Sequence, residues 1–200
     1  MVPEGVIFSS FDPETMEVDA FSPPPDWPRF VGIDPLGERV AAVWLAWDAG
    51  NLMLHVYREY YEPFGISTPE HVANILRLSR GEFIVRWVGG GPSERQVRED
   101  WRAAGIPLQP APISDVWQGI DRIQSLFQER RILVHRSCPN LLSELGQYRR
   151  KVVDGQPSET IIEDKGTYHA IDSVRYVVSW LTHGNEMQRV VFEPPMGQRV

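Results

Sequence analysis

The sequence predicts an α/β domain built on a mixed β-sheet. Three observations carry this expectation. From Phe30 onward three strand-like segments follow one another, joined only by turn residues, which reads as an antiparallel meander. Strand-like and helix-like segments then alternate, which calls for parallel pairing through helical crossovers. The chain has 200 residues, 42% of them apolar and 24% charged, which suits one domain with a sizeable core.

Residues 1–28 hold six prolines, including the run "SPPPDWP", and are expected to form an extended connector or arm. Val6, Ile7, Phe8 and Phe11 give that arm apolar residues that could pair with a sheet edge. "FVGID" is a buried-strand signal ending at Asp34-Pro35, and "VAAVWLAWD" follows the turn "PLGER". In "NLMLHVYREYY", Leu52, Leu54 and Val56 alternate onto one face, and Asp48-Ala49-Gly50-Asn51 supplies the preceding turn. "STPEHVANILRLSR" is a helix with a Ser/Thr cap, an early proline and the stripe Val72, Ile75, Leu76. "FIVRWV" is a strand, "GGGPS" a loop, and "SERQVREDWRAAG" a helix closed by Gly105. "IPLQPAP" is extended. Val116, Ile120, Ile123 and Phe127 mark a helix capped by Ser114 or Asp115. "ILVH" is a strand, "PNLLSELGQYRR" a helix, and "KVVDGQPSETIIED" a hairpin around Asp154-Gly155. The last helix, "GTYHAIDSVRYVVSWL", buries Ile171, Val174, Val178 and Leu181 and is expected to be half-exposed. The folded domain therefore spans 29–183, and 184–200 form an irregular tail.

Several functional classes are excluded or disfavoured. No apolar run approaches a membrane span and no signal segment opens the chain. Cys138 is the only cysteine, so an intramolecular disulfide and multi-cysteine zinc sites are impossible, and a reducing compartment fits. The formal net charge of −7 argues against strong adhesion to nucleic acid through overall charge, while leaving room for a local basic strip. There is no phosphate-binding P-loop motif, and "GGGP" lacks the dinucleotide-binding spacing.

Two acids from opposite ends of the chain stand out. Asp34 ends the first strand, where ligands gather in open α/β sheets; it also suits a plain turn before Pro35. Asp172 lies one turn into the last helix, beside His169; it could equally pair with Arg175 or Arg149, or be solvated. If the last helix packs beside the first strand, the two carboxylates converge. Hard oxygen ligands of this kind suit Mg²⁺ or Mn²⁺, and two such ions could activate water against a phosphodiester. His169 could ligate a metal or move a proton, or be structural.

"FVGIDPLGERVAAVWLAWDAGNLMLHVYREYYEPFGISTPEHV", "WQGIDRIQSLFQERRILVH" and the stretch from "LLSELGQYRR" to "HAIDSVRYVVSW" resemble, in that order, the nuclease domain of the large terminase subunit of tailed bacteriophages. "HAIDSVRY" is the most specific piece. The likeness runs from about Phe30 to Trp180, and residues 1–28 resemble the connector that follows the family's motor domain. It implies a ribonuclease-H-like fold and a metal-dependent endonuclease that cuts concatemeric double-stranded DNA by metal-activated water. It implies Mg²⁺ or Mn²⁺ as cofactor, two ions, of which this sequence's departure at the middle acid, given below, would leave one weakly held. It also implies the ATPase motor, the portal and the small terminase subunit as partners, no membrane, and the host cytoplasm as the place of action.

By the same resemblance Asp34 and Asp172 are catalytic metal ligands and His169 accompanies them. The family's middle acid has no direct counterpart, because Gly89, Gly90 and Gly91 stand at that strand end. Glu94 is the nearest substitute, otherwise a first-turn glutamate favoured by the helix dipole. Asp115 is a weaker one, otherwise an N-cap. The glycine loop could instead bring phosphate against backbone donors. Arg149, Arg150 and Lys151, at the foot of the hairpin, are expected to contact DNA phosphate, or else to be a solvated helix end. The missing acid motivates a second reading: a catalytically weakened module that docks DNA and portal.

Overall fold

The computed structural model describes residues 5–63 and 65–183. The central strands carry apolar residues toward both sides, so the sheet needs cover on both faces. Strands β2 (Arg29–Asp34), β3 (Arg39–Asp48) and β4 (Met53–Pro63) form the antiparallel meander. Parallel strands flank it: β5 (Ile84–Gly89) beside β2, and β6 (Ile132–His135) beside β4. A two-residue strand β1 (Glu17–Val18) pairs parallel with β6 and completes the order β1-β6-β4-β3-β2-β5. The mixed α/β sheet expected from the sequence is therefore present.

Helices α2 (Thr68–Leu78) and α3 (Arg95–Ala104) cover one face. Their Val72, Ile75 and Trp101 pack with Val31, Ile33, Ala42, Trp44 and Ala46. Helices α4 (Val116–Gln128), α5 (Pro139–Gln147) and α6 (His169–Thr182) cover the other. There Ile120, Leu141, Ile171 and Val174 pack with Phe30, Val43, Leu45 and Val56. The two sets interleave along β2 and β3, as the period of two requires. Phe30, Gly32 and Asp34 thus share the face on which α6 lies.

The arm packs onto the domain. A one-turn helix α1 (Pro13–Met16), capped by Asp12, precedes β1, and Phe8 and Met16 are buried in the core. The edge strand comes from Glu17–Val18, whereas Val6 bridges Arg149 and the Ile7 amide donates to the Tyr148 carbonyl. Farther along, the Arg29 guanidinium binds the carbonyls of Pro23, Pro24 and Pro25, which holds the proline run against the sheet.

The structure departs from the sequence-based expectation at three places. Leu52 is a turn residue with φ 53° and is 55% exposed, while Leu54 and Val56 face the core. The Asp48 carboxylate accepts from the amides of Gly50 and Asn51, so the turn runs one residue further than expected. Helix α5 stops at Gln147, because Tyr148 turns extended and stacks its ring on Phe8, and the arm then pairs with 148–149. Arg149 and Arg150 are therefore not a helix end; Arg150 opens the hairpin strand β7 (Arg150–Val153), which pairs with β8 (Gln156–Ile162). Finally, α6 is buried almost all round rather than half-exposed, because it is wedged between the sheet and α4 and α5. The tail expected over 184–200 lies outside the described residues. Among the described residues no helix is long and apolar enough to cross a membrane.

Close approach of α6 to β2 depends on Gly32. A Cβ there would overlap the Ser173 carbonyl. Ser173 is itself fully buried; its hydroxyl accepts from the Asp34 amide at 3.1 Å and reaches the carbonyls of Ala41 and His169. Gly32→Ala is expected to cost about 3 kcal/mol, the upper end of overpacking, because backbone rather than a flexible side chain must move. Urea unfolding followed by tryptophan fluorescence checks this; an unchanged midpoint would contradict the contact.

Candidate active site

The β2–α6 contact sets the geometry of the acidic pair. Asp34 is the last residue of β2, with its side chain 12% exposed. Its Oδ2 meets His169 Nδ1 at 2.7 Å, and its Oδ1 makes no hydrogen bond among the described residues. Asp172 lies one turn further along α6, with its side chain 13% exposed. Its Oδ2 accepts from Lys165 Nζ at 2.5 Å and its Oδ1 from Arg175 Nε at 3.1 Å. Lys165 begins a one-turn 3₁₀ helix (Lys165–Thr167) between β8 and α6.

Electrostatics links these groups. Burial pushes the Asp34 carboxyl above its ordinary value, the hydrogen bond from His169 opposes this, and the nearby charge of Asp172 adds to the rise. His169 is raised, first by its bond to Asp34. The two carboxylates therefore repel across a partly dry space, even with an imidazole, an ammonium and a guanidinium around them.

The strand end at β5 is built differently. Gly89 faces the Ile33 carbonyl so closely that any Cβ would overlap it, which leaves no room for an acid at that position. Glu94 folds back over the glycine loop, where its Oε2 accepts from the Gly91 amide at 2.9 Å. Arg98, one turn further along, holds the same loop through the carbonyls of Gly91 and Pro92. Glu94 is not hydrogen-bonded to Asp34 or Asp172, although buried Tyr176 feels all three: burial first, then the charges of Asp34, Asp172 and Glu94, raise its phenol. Asp115 caps α4, accepting from the Gln118 amide at 2.8 Å. Among the described residues, no group of three or more His, Cys, Asp and Glu is arranged to hold a metal ion.

The basic trio divides. Arg149 pairs with Glu163. Arg150 lies 4.5 Å over the Trp117 ring and binds the carbonyls of Ser158 and Glu159, so it braces the hairpin. Lys151 is exposed and has no ion pair among the described residues.

One important residue has no signal in the sequence. Glu144 on α5 is 7% exposed and caps α6 from outside. Its Oε1 accepts from Tyr61 at 2.8 Å and from the Ala170 amide at 3.2 Å, and its Oε2 from the Ile171 amide at 2.8 Å. It thereby satisfies the orphan donors of the turn that carries His169 and Asp172. No local pattern links Glu144 to residues 61, 170 and 171, so only the fold brings them together.

The two carboxylates by themselves fit a hydrated divalent cation, which takes one or two carboxylates and completes its shell with water or phosphate. The unengaged Asp34 Oδ1, in a partly dry space that also feels the charge of Asp172, is the observation that favours such a cation.

Burial lifts Glu144 to about 7 against the amide and phenol hydrogen bonds. The neutral form is thus favoured in the folded protein. Its contribution to stability is full below about pH 4.5, the ordinary value, and is lost as pH rises through 7, a change of about 3 kcal/mol. Glu144→Gln should remove this slope when denaturant midpoints are followed from pH 4.5 to 7.5. Equal slopes in both proteins would contradict the assignment.

No protein-family model matches the chain, and no curated protein matches it. Solved structures do. The large terminase of a thermophilic bacteriophage superposes with a TM-score of 0.73 at 18% identity, over 90% of this chain and 46% of that one. The P22 large terminase nuclease domain gives 0.69 at 18% identity, over 94% of each. The large terminase nuclease domain of bacteriophage SPP1, with bound Mn, gives 0.60 at 19% identity, over 74% of this chain and 84% of that one. The chain spans about half the length of the thermophilic phage's terminase, and nearly all of the isolated P22 domain. It has the ribonuclease-H-like fold of large terminase nuclease domains.

Proposed function

We propose that this domain is a divalent-metal-dependent endonuclease of a viral DNA-packaging terminase, cutting concatemeric double-stranded DNA. The observation that carries the reading is the meeting of Asp34, His169 and Asp172 where β2 ends under α6. The fold shared with terminase nuclease domains, one of them with bound Mn, supports it. In the packaging machine the partners would be the ATPase motor, the portal and the small subunit, in the host cytoplasm.

Asp34 and Asp172 would hold the metal, which supplies a Lewis acid and an acidified water for phosphodiester hydrolysis. The protein's own contributions are positional. His169 Nδ1 fixes the Asp34 carboxylate and leaves Oδ1 open. His169 Nε2 remains to ligate or to move a proton. Glu144 and Ser173 fix the helix that bears Asp172 against the strand that bears Asp34. Lys151 offers a phosphate contact, which carries no base information, so cutting without sequence preference is expected.

A second reading is a weakened module that docks DNA and portal. It is favoured by the glycine strand end, which excludes a third acid at Gly89, and by the engagement of Glu94 with its own loop.

The nuclease reading predicts Mn²⁺-stimulated nicking of supercoiled plasmid, reduced to the metal-free background by Asp34→Asn. Full nicking by that variant would refute it, and no nicking by the wild type would favour docking. Lys151→Ala should leave thermal stability unchanged, weaken DNA binding and reduce the salt slope by about 1. Unaltered binding at several salt concentrations would remove Lys151 from the interface.

A further inference from the structure

The acidic pair already holds a cation, and it is part of the chain. Lys165 Nζ sits 2.5 Å from Asp172 Oδ2, and its charge also reaches Asp34. Three basic groups line the pair, and they differ in freedom. Arg175 is buried: its alkyl chain fills the space over Gly119 of α4 and its guanidinium lies 4.8 Å from the Tyr176 ring centroid, so it cannot withdraw without unpacking α4 from α6. His169 is buried and bonded to Asp34. Lys165 alone is partly open, with its side chain 31% exposed, and it opens the one-turn 3₁₀ helix next to Gly166 rather than sitting inside α6. A lysine ammonium is a compact point charge on a flexible stem, suited to leaving without disturbing its surroundings.

We propose that Lys165 is a built-in counter-cation for Asp34 and Asp172, and that it yields its place to a divalent cation. This inference rests on the metal-dependent reading above. With the metal absent, the ammonium relieves the repulsion between two poorly solvated carboxylates. When a divalent cation arrives, Asp172 Oδ2 must exchange its ammonium partner for the metal, while Arg175 stays on Oδ1. Lys165 therefore competes with the metal and sets a threshold for occupancy. Two charges brought by one ion can outweigh a single ammonium, whereas a monovalent cation offers no gain.

Calorimetric titration of Mn²⁺ into the intact chain tests this, using wild type, Lys165→Met and Lys165→Gln. Both variants remove the ammonium from a partly exposed turn, and each is checked for a cooperative thermal transition. The expected result is Mn²⁺ affinity raised about 10-fold or more in both variants, with a larger Mn²⁺-induced rise in melting temperature than in wild type. Affinity equal to or weaker than wild type would overturn the proposal while leaving metal binding intact. Binding by neither wild type nor variants would overturn it together with the metal-dependent reading. A parallel Asp34→Asn titration separates the two, since its loss of binding tests the acidic pair independently of Lys165.

Discussion

The contact between the Gly32 backbone and the Ser173 carbonyl is the constraint on which the rest depends. It lets α6 lie against β2 without a side chain between them. Once that distance is fixed, the residue two places after Gly32 and the residue just before Ser173 face the same space. Those residues are Asp34 and Asp172. The Ser173 hydroxyl, bound by the Asp34 amide, locks the register between strand and helix. Glu144 then secures the helix end from a third element.

This arrangement concentrates negative charge where water is scarce. Desolvation favours neutral carboxyls, and the chain counters it with His169, Lys165 and Arg175 rather than by exposing the acids. The three basic groups are not equivalent: Arg175 belongs to the packing of α4 on α6, His169 to the orientation of Asp34, and Lys165 to neither. At the neighbouring strand end the chain does the opposite. Gly89 permits the close passage of β5 beside β2, and Glu94 and Arg98 bind the glycine loop to itself. Charge is thus gathered at the end of β2 and withheld from the end of β5.

Much of the fold was legible because its signals are local. Turn residues separate the meander strands, Asp115 caps α4, and Asp154-Gly155, both at positive φ, turn the hairpin. Features set by distant partners were not legible. The apolar stripe of α6 marks one buried face, but burial of the others comes from α4 and α5. The basic run after α5 reads as a helix end until Tyr148 is seen stacked on Phe8, from the far end of the chain. Within the site, the spacing of His169 and Asp172 is visible in the sequence, and the termination of a strand at Asp34 is visible too. Glu144 and Lys165 are not, because their roles are defined by partners on other elements or across a loop rather than by any recurring interval.

The most direct measurement of the central claim is an anomalous-difference map from crystals soaked in Mn²⁺. A peak is expected between β2 and α6, with oxygens of both Asp34 and Asp172 within about 2.0–2.3 Å of manganese or joined to it through one water. A peak held by other residues, with Asp34 and Asp172 still engaged only by His169, Lys165 and Arg175, would contradict it.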